Sequence, residues 1–252
     1  MKTTDKCIPD QFYTPEERAR FFDAVGKRRS IRAYAGAPDK EQMARLQRFV
    51  AETALPGVRV VLTDCDDSLF TSYPVVGAVM GCRRVAVIIY DQAQMYSKLY
   101  AGLAGESLVL EATSMGLGTC WVAGSWRRNK LQCVMQKTEK IAALITIGIA
   151  AEKIETPRKR KKLADICHGD PSSWPMWAFN AAECVRCAPS AMNMQPWRLA
   201  YAGSTLVLLR SWWADDLDMG IALLHMSIGL REIRHTLTFG EKQEVARLFA
   251  EE

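Results

Sequence analysis

The chain has 252 residues, 49% of them hydrophobic and 24% charged, with a mild net charge of +5. This is the composition of an ordinary globular protein with enough length to bury one large or two small cores. The apolar runs at 85–90 and 141–150 are too short to cross a bilayer, and the first eighteen residues lack the apolar core of a signal peptide. Eight cysteines scattered as singles fit reduced thiols better than a disulfide scaffold, so a cytoplasmic protein is expected.

In chain order, residues 14–29 (TPEERARFFDAVGKRR) predict a helix, with Thr14 as N-cap, Pro15 at the first position and acidic residues in the first turn. A second helix is expected from Pro38 and Asp39 onward. GVRVVLTD (57–64) and RRVAVIIYD (83–91) predict strands around a loop containing SYPVVGAVMG. Residues 98–118 carry apolar side chains at helical spacing and stop at Gly116–Leu117–Gly118. TCWVAGSW (119–126) reads as irregular, and IAALITIGIA (141–150) as a buried strand.

A second pass then begins. WPMWAFNAAECVRCA (174–188) reads as a helix, residues 197–213 as a strand pair turning at 202–204, and DMGIALLHMSIGLREIR (218–234) as a small-residue helix. The repeated order of helix, loop and strand suggests a degenerate internal duplication. Between helix and strand lies APSAMNMQPW, whose two prolines, serine and asparagine spell a fixed non-helical turn. Its glutamine and tryptophan suggest a surface shaped for a flat, polar-edged ligand.

Two basic clusters stand out. RRSIR (28–32) groups Arg28, Arg29, Ser30 and Arg32 just after a helix, where guanidinium forks and a hydroxyl suit a phosphate, and where a solvated helix end also favours cations. PRKRKKL (157–163) alternates Arg158 and Arg160 so that both face one way in an extended segment. It lacks the interleaved aromatics that stack bases, so no nucleic-acid partner is expected. GLGTCWVAG (116–124) lets backbone approach a ligand closely, or simply caps a helix. Cys184 and Cys187 lack the further ligands of a metal site, and no nucleophile with a histidine partner is evident.

Taken together, RRSIRAY, GLGTCWVAG, the strand leading to PRKRKKL, and APSAMNMQPWRL resemble the FMN-dependent nitroreductase family. The likeness is to the subgroup in which one chain mimics the usual homodimer. The resemblance implies an α+β fold: a nitroreductase-like layered arrangement of two degenerate tandem halves forming a pseudo-dimer. Residues 1–156 would be the first half, carrying the phosphate motifs, and 157–252 the second, carrying the flavin loop and intertwined with the first.

It also implies FMN. Arg28, Arg29, Ser30 and Arg32 would hold the phosphate and ribityl end, with Arg158 and Arg160 closing on the phosphate. Pro189, Ser190, Ala191 and Asn193 would line the ring and ribityl region, and Val122, Ala123 and Gly124 would lie against the flavin. No catalytic side chain is implied. The implied activity is an NAD(P)H oxidoreductase that passes electrons through FMN to a nitroaromatic, quinone or other small acceptor. The alternative is a non-catalytic FMN-binding protein for flavin storage or sensing. The chain departs from the family at Ala191, where many members carry a polar residue, and at Ala123, where an acidic one is common. No metal or membrane partner is expected, and the assembly would be a monomeric pseudo-dimer or a weak homo-oligomer.

Overall fold

A computed structural model of the chain describes residues 13–72, 78–152, 158–230, 235–240 and 242–250. In chain order the elements are α1 (Pro15–Lys27), β1 (Tyr34–Gly36), α2 (Lys40–Glu52), β2 (Val58–Asp64), β3 (Arg84–Asp91), α3 (Ser97–Ser114), β4 (Gly118–Val122) and β5 (Glu139–Ala150). There follow α4 (Leu163–Ile166), β6 (Cys167–His168), α5 (Met176–Cys187), β7 (Trp197–Ala202), β8 (Thr205–Arg210), α6 (Asp216–Gly229), β9 (His235–Phe239) and β10 (Glu244–Ala250).

The helix starts follow from capping chemistry. Thr14 Oγ1 accepts from Glu17 N at 3.2 Å while Glu17 Oε2 accepts from Thr14 N at 2.8 Å. Asp39 and Gln42 form the same reciprocal box at α2. Each box satisfies donors that the first helical turn leaves without intrahelical partners. At the other end of α3, Leu117 N donates back to Ala112 O at 3.0 Å, and Gly116 takes the left-handed φ of +78° that this reversal needs.

The elements fall into two compact units, Lys27–Arg158 and Met1–Gly26 with Lys159–Glu252, so α1 groups with the later part of the chain. In the first of these, the described strands form one five-stranded sheet in the order β1-β5-β3-β2, with β4 also on β5, all antiparallel. Residues 85–89 of β3 and 143–147 of β5 are buried, which explains their unbroken apolar sequence. The segment read as irregular at 119–126 begins as a strand. Thr119, Cys120, Trp121 and Val122 pair with 144–147 of β5, and central-strand pairing outweighs the glycines on either side. Helix α3 is buried over nearly its whole length, with Glu106 and Glu111 inside.

The other unit holds a sheet in the order β6-β7-β8-β10-β9, parallel only between β6 and β7. The β7–β8 hairpin turns where expected, with Gly203 at φ +59°. The strands β9 and β10 were not anticipated, and residues 231–234 of the expected final helix lie outside the described residues. Helices α5 and α6 pack closely at a small-residue contact. A Cβ added at Gly229 would come within 2.4 Å of Ala181 Cα and 2.8 Å of Asn180 O. Backbone atoms cannot swing aside, so Gly229→Ala must separate the helices. We expect a loss of about 1–3 kcal/mol, as for other overpacked cores, read as a lower urea midpoint.

Candidate functional site

In the unit spanning residues 27–158, the RRSIR segment is clamped along its backbone. Ser30 bridges to Thr119 of β4, and Ile31 N donates to Thr119 O at 2.8 Å. Met80 N donates to Arg32 O at 2.8 Å, and Tyr34 N to Met80 O at 3.0 Å. Tyr34 Oη anchors the next turn, 2.6 Å from both Ile31 O and Thr146 Oγ1, and burial pushes its phenol pKa well up.

The side chains divide into one buried and several accessible cations. Arg28 is 3% exposed, and its Nε lies 3.8 Å from Oε1 of the fully buried Glu106. Glu106 Oε2 accepts from Trp121 Nε1 at 2.8 Å. The indole lies directly over Gly105, where a Cβ would meet Trp121 Cη2 at 2.2 Å. Arg29 and Arg158, half-buried, both donate to Arg28 O, at 3.0 and 3.4 Å. Ser30, Arg28 and Arg32 also surround the buried Cys120 thiol. Burial raises its pKa, while Arg32, Arg28 and a hydrogen bond with Ser30 work in the opposite direction.

Thus the structure brings Arg28, Arg29, Ser30, Arg32 and Arg158 together. At the end of β4, Val122 is buried while Ala123 and Gly124 are exposed, and a Cβ at Gly124 would meet nothing within 4 Å. The turn is fixed by Trp126 Nε1, which donates to Ala123 O at 3.3 Å.

In the other unit, the 189–196 loop is held from several directions. Met192, Asn193 and Gln195 have φ of 50°, 57° and 49°, left-handed conformations that non-glycine residues keep only when their surroundings impose them. The buried Asp218 in the first turn of α6 accepts from Ala191 N at 3.0 Å, and Ser190 Oγ accepts from Gln195 N at 2.8 Å. Gln195 Oε1 accepts from Lys161 N at 3.1 Å, and Lys161 Nζ donates to Gln195 O at 3.1 Å. Partial burial lowers the Lys161 pKa, helped by nearby Arg198 and opposed by Asp165. Arg160 Nη1 donates to Asn193 Oδ1 at 2.6 Å, its Nη2 to Cys187 O at 3.2 Å, and Asn193 Nδ2 donates to Lys159 O at 3.1 Å.

Residues 159–161 of the basic run and the loop motif are therefore one hydrogen-bonded piece. Gln195, Pro196 and Trp197 are buried and shape the loop from beneath. The exposed tip is Ala191, Met192, Asn193 and Met194, while Pro189 is buried and Ser190 half-buried.

Sequence reasoning missed Glu106, Asp218 and the structural use of Gln195. The signal for Glu106 was its place in a helix with no polar face.

The family model described as "Putative TM nitroreductase" matches residues 20–230. The chain belongs to this family. A crystal structure of a "putative nitroreductase" from Thermotoga maritima has 22% identity and a TM-score of 0.65, covering 91% of this chain and 93% of that one. It shares the nitroreductase fold. A nitroreductase family protein from Streptococcus pneumoniae is 17% identical with a TM-score of 0.49, covering 60% of this chain and all of that one. An FMN-dependent nitroreductase from Clostridium difficile is 20% identical, with a TM-score of 0.42 over 54% of this chain and 90% of that one. No curated protein matches the chain. The family is one of oxidoreductases, and among the described residues no helix is long and apolar enough to cross a membrane.

Removing Glu106 should expose how much this nitroreductase-family chain relies on the buried pair. Glu106→Ala removes the counter-charge of a desolvated guanidinium and the acceptor of the Trp121 N–H, and a loss of about 3–5 kcal/mol is expected in chemical denaturation. Glu106→Gln keeps an acceptor for the indole and should lose less.

Proposed function

We propose that the protein is an FMN-dependent NAD(P)H oxidoreductase of nitroreductase type, acting on a small acceptor. The observation that carries this reading is the meeting of Arg158 with the Arg28 carbonyl, 130 residues away in sequence, beside Ser30. Two basic motifs that a solvated surface would have no reason to join contribute to one donor set.

That donor set fits a phosphate dianion. Glu106 faces the buried Arg28, while Arg29, Arg32 and Arg158 are half-buried beside the Ser30 hydroxyl, within reach of an anion. Guanidinium groups in this number offer charge-assisted hydrogen bonds in the fork geometry that phosphate oxygens accept. Arg28 is then a positioning residue, since its carbonyl orients two of these arginines. Ala123 and Gly124 leave room for the flat ring, with Val122 behind them. Pro189, Ser190, Ala191 and Asn193 form the second set of FMN contacts, and Arg160 serves by holding the Asn193 amide in place.

Bound FMN supplies two-electron acceptance from NADH or NADPH and onward transfer to an acceptor such as a nitroaromatic or quinone. The protein's part is to bind, orient and shield. None of the residues named needs to exchange a proton with substrate.

Ser30→Ala removes one hydroxyl from a charged ligand and should weaken FMN binding about tenfold, worth ~1.4 kcal/mol, by fluorescence titration. For turnover, the FMN-loaded protein should lose its visible flavin absorption on anaerobic addition of NADH or NADPH and regain it with a quinone. Tight FMN binding with no bleaching by either nucleotide would contradict the enzymatic reading and leave storage or sensing.

A further inference from the structure

Away from the candidate site, two thiols approach each other where β2 ends and β3 begins. Cys65 follows the last residue of β2, and its N–H donates to Arg83 O at 3.1 Å. Cys82 lies just before β3, after Gly81 with its left-handed φ of +71°. The Cys65 thiol points at Cys82, with Sγ–Sγ 3.9 Å and Cys65 Sγ to Cys82 O 3.6 Å. Cys82 Sγ sits 3.1 Å from Arg84 O. Cys65 is half-buried, whereas Cys82 is fully buried.

The pair is asymmetric. The Cys65 S–H donates to the Cys82 sulfur, which lowers the Cys82 pKa and raises that of Cys65. Arg83 adds positive charge beside Cys65. The surroundings are rigid enough to keep the sulfurs facing, because Asp67 Oδ1 accepts from Gly81 N at 2.8 Å and from Arg83 Nη1 at 3.3 Å. A disulfide requires about 2.05 Å between sulfurs, so closing the gap takes a shift of roughly 2 Å. Both cysteines lie beyond the regular β2–β3 ladder, whose last pair at this end is Asp64 with Arg84.

We infer that Cys65 and Cys82 are a reversible dithiol–disulfide pair that is oxidised by small-molecule disulfides such as glutathione disulfide. Cys65 is the entry thiol because it is the half-buried one of the pair while Cys82 is sealed from solvent; its raised pKa makes the first attack the slow step. Its thiolate, after losing a proton to solvent, attacks one sulfur of the small disulfide, forming a mixed disulfide and releasing one small thiolate. The Cys82 thiolate then attacks the Cys65 sulfur, the Cys65–Cys82 bond forms, and the second small thiolate leaves. Two protein thiols are oxidised, one small disulfide is reduced to two thiols, and the two protons lost by the protein are taken up by the leaving groups.

The bridge has a structural consequence next to the RRSIR segment. Met80, two residues before Cys82, is the residue that brackets Arg32 and Tyr34 through backbone hydrogen bonds. Oxidation therefore tethers the end of β2 to the segment that clamps the RRSIR backbone.

The test uses the reduced full-length chain, equilibrated in glutathione buffers of rising oxidised fraction, acid-quenched, denatured and alkylated. Trypsin releases one peptide, 60–83, that contains both thiols and no internal Lys or Arg. The expected result is a peptide two hydrogens lighter and unalkylated, which takes two alkyl groups after dithiothreitol. A doubly alkylated peptide throughout, or glutathione lodged permanently on Cys65, would overturn the inference. In Cys82→Ser the mixed disulfide on Cys65 should accumulate, and its absence would overturn Cys65 as the entry thiol.

Discussion

A buried ion pair fixes the RRSIR segment of this chain. Arg28 and Glu106 are both withdrawn from water, and an unpartnered charge in either place would be costly. That constraint locks the Arg28 backbone, and the Arg28 carbonyl then collects Arg29 and Arg158. Glu106 is itself held by Trp121, whose indole needs the bare face of Gly105. Helix α3 and strand β4 thus set the position of RRSIR without contributing a ligand-facing group from the pair. Of the arginines in RRSIR, the buried Arg28 is the one whose carbonyl gathers Arg29 and Arg158.

The second motif is built on a different principle. The 189–196 loop keeps three non-glycine residues in left-handed conformations, each of which costs energy relative to ordinary backbone. Its strain is offset by an over-determined set of hydrogen bonds from Asp218, Lys161, Arg160 and the loop's own Ser190 and Gln195. A loop held in this way changes little when a ligand arrives, so little binding energy goes to ordering it. Exposed Met192 and Met194 at the tip add adaptable apolar surface beside the fixed Asn193.

Much of this was legible in the sequence. Thr14 with Pro15 and Pro38 with Asp39 marked the helix starts, and unbroken apolar runs marked β3 and β5. The RRSIR and APSAMNMQPW motifs pointed to the family before any geometry. What escaped was set by tertiary context. β4 is only five residues beside glycines, and it is a strand because β5 offers it a partner. The β9–β10 pair is short and weakly patterned in the same way. Glu106 and Asp218 look like ordinary helix carboxylates until their burial is known. The burial of Gln195 and Trp197 was not legible, because a loop's chemistry does not reveal which side of it is covered.

The most direct measurement is the FMN content of the purified chain after incubation with excess FMN and removal of the free cofactor. Released flavin is quantified against protein after denaturation. A single FMN per chain, lost in proportion when Ser30 is replaced by alanine, is the expected result. No retained flavin, or two per chain, would contradict the proposed FMN site.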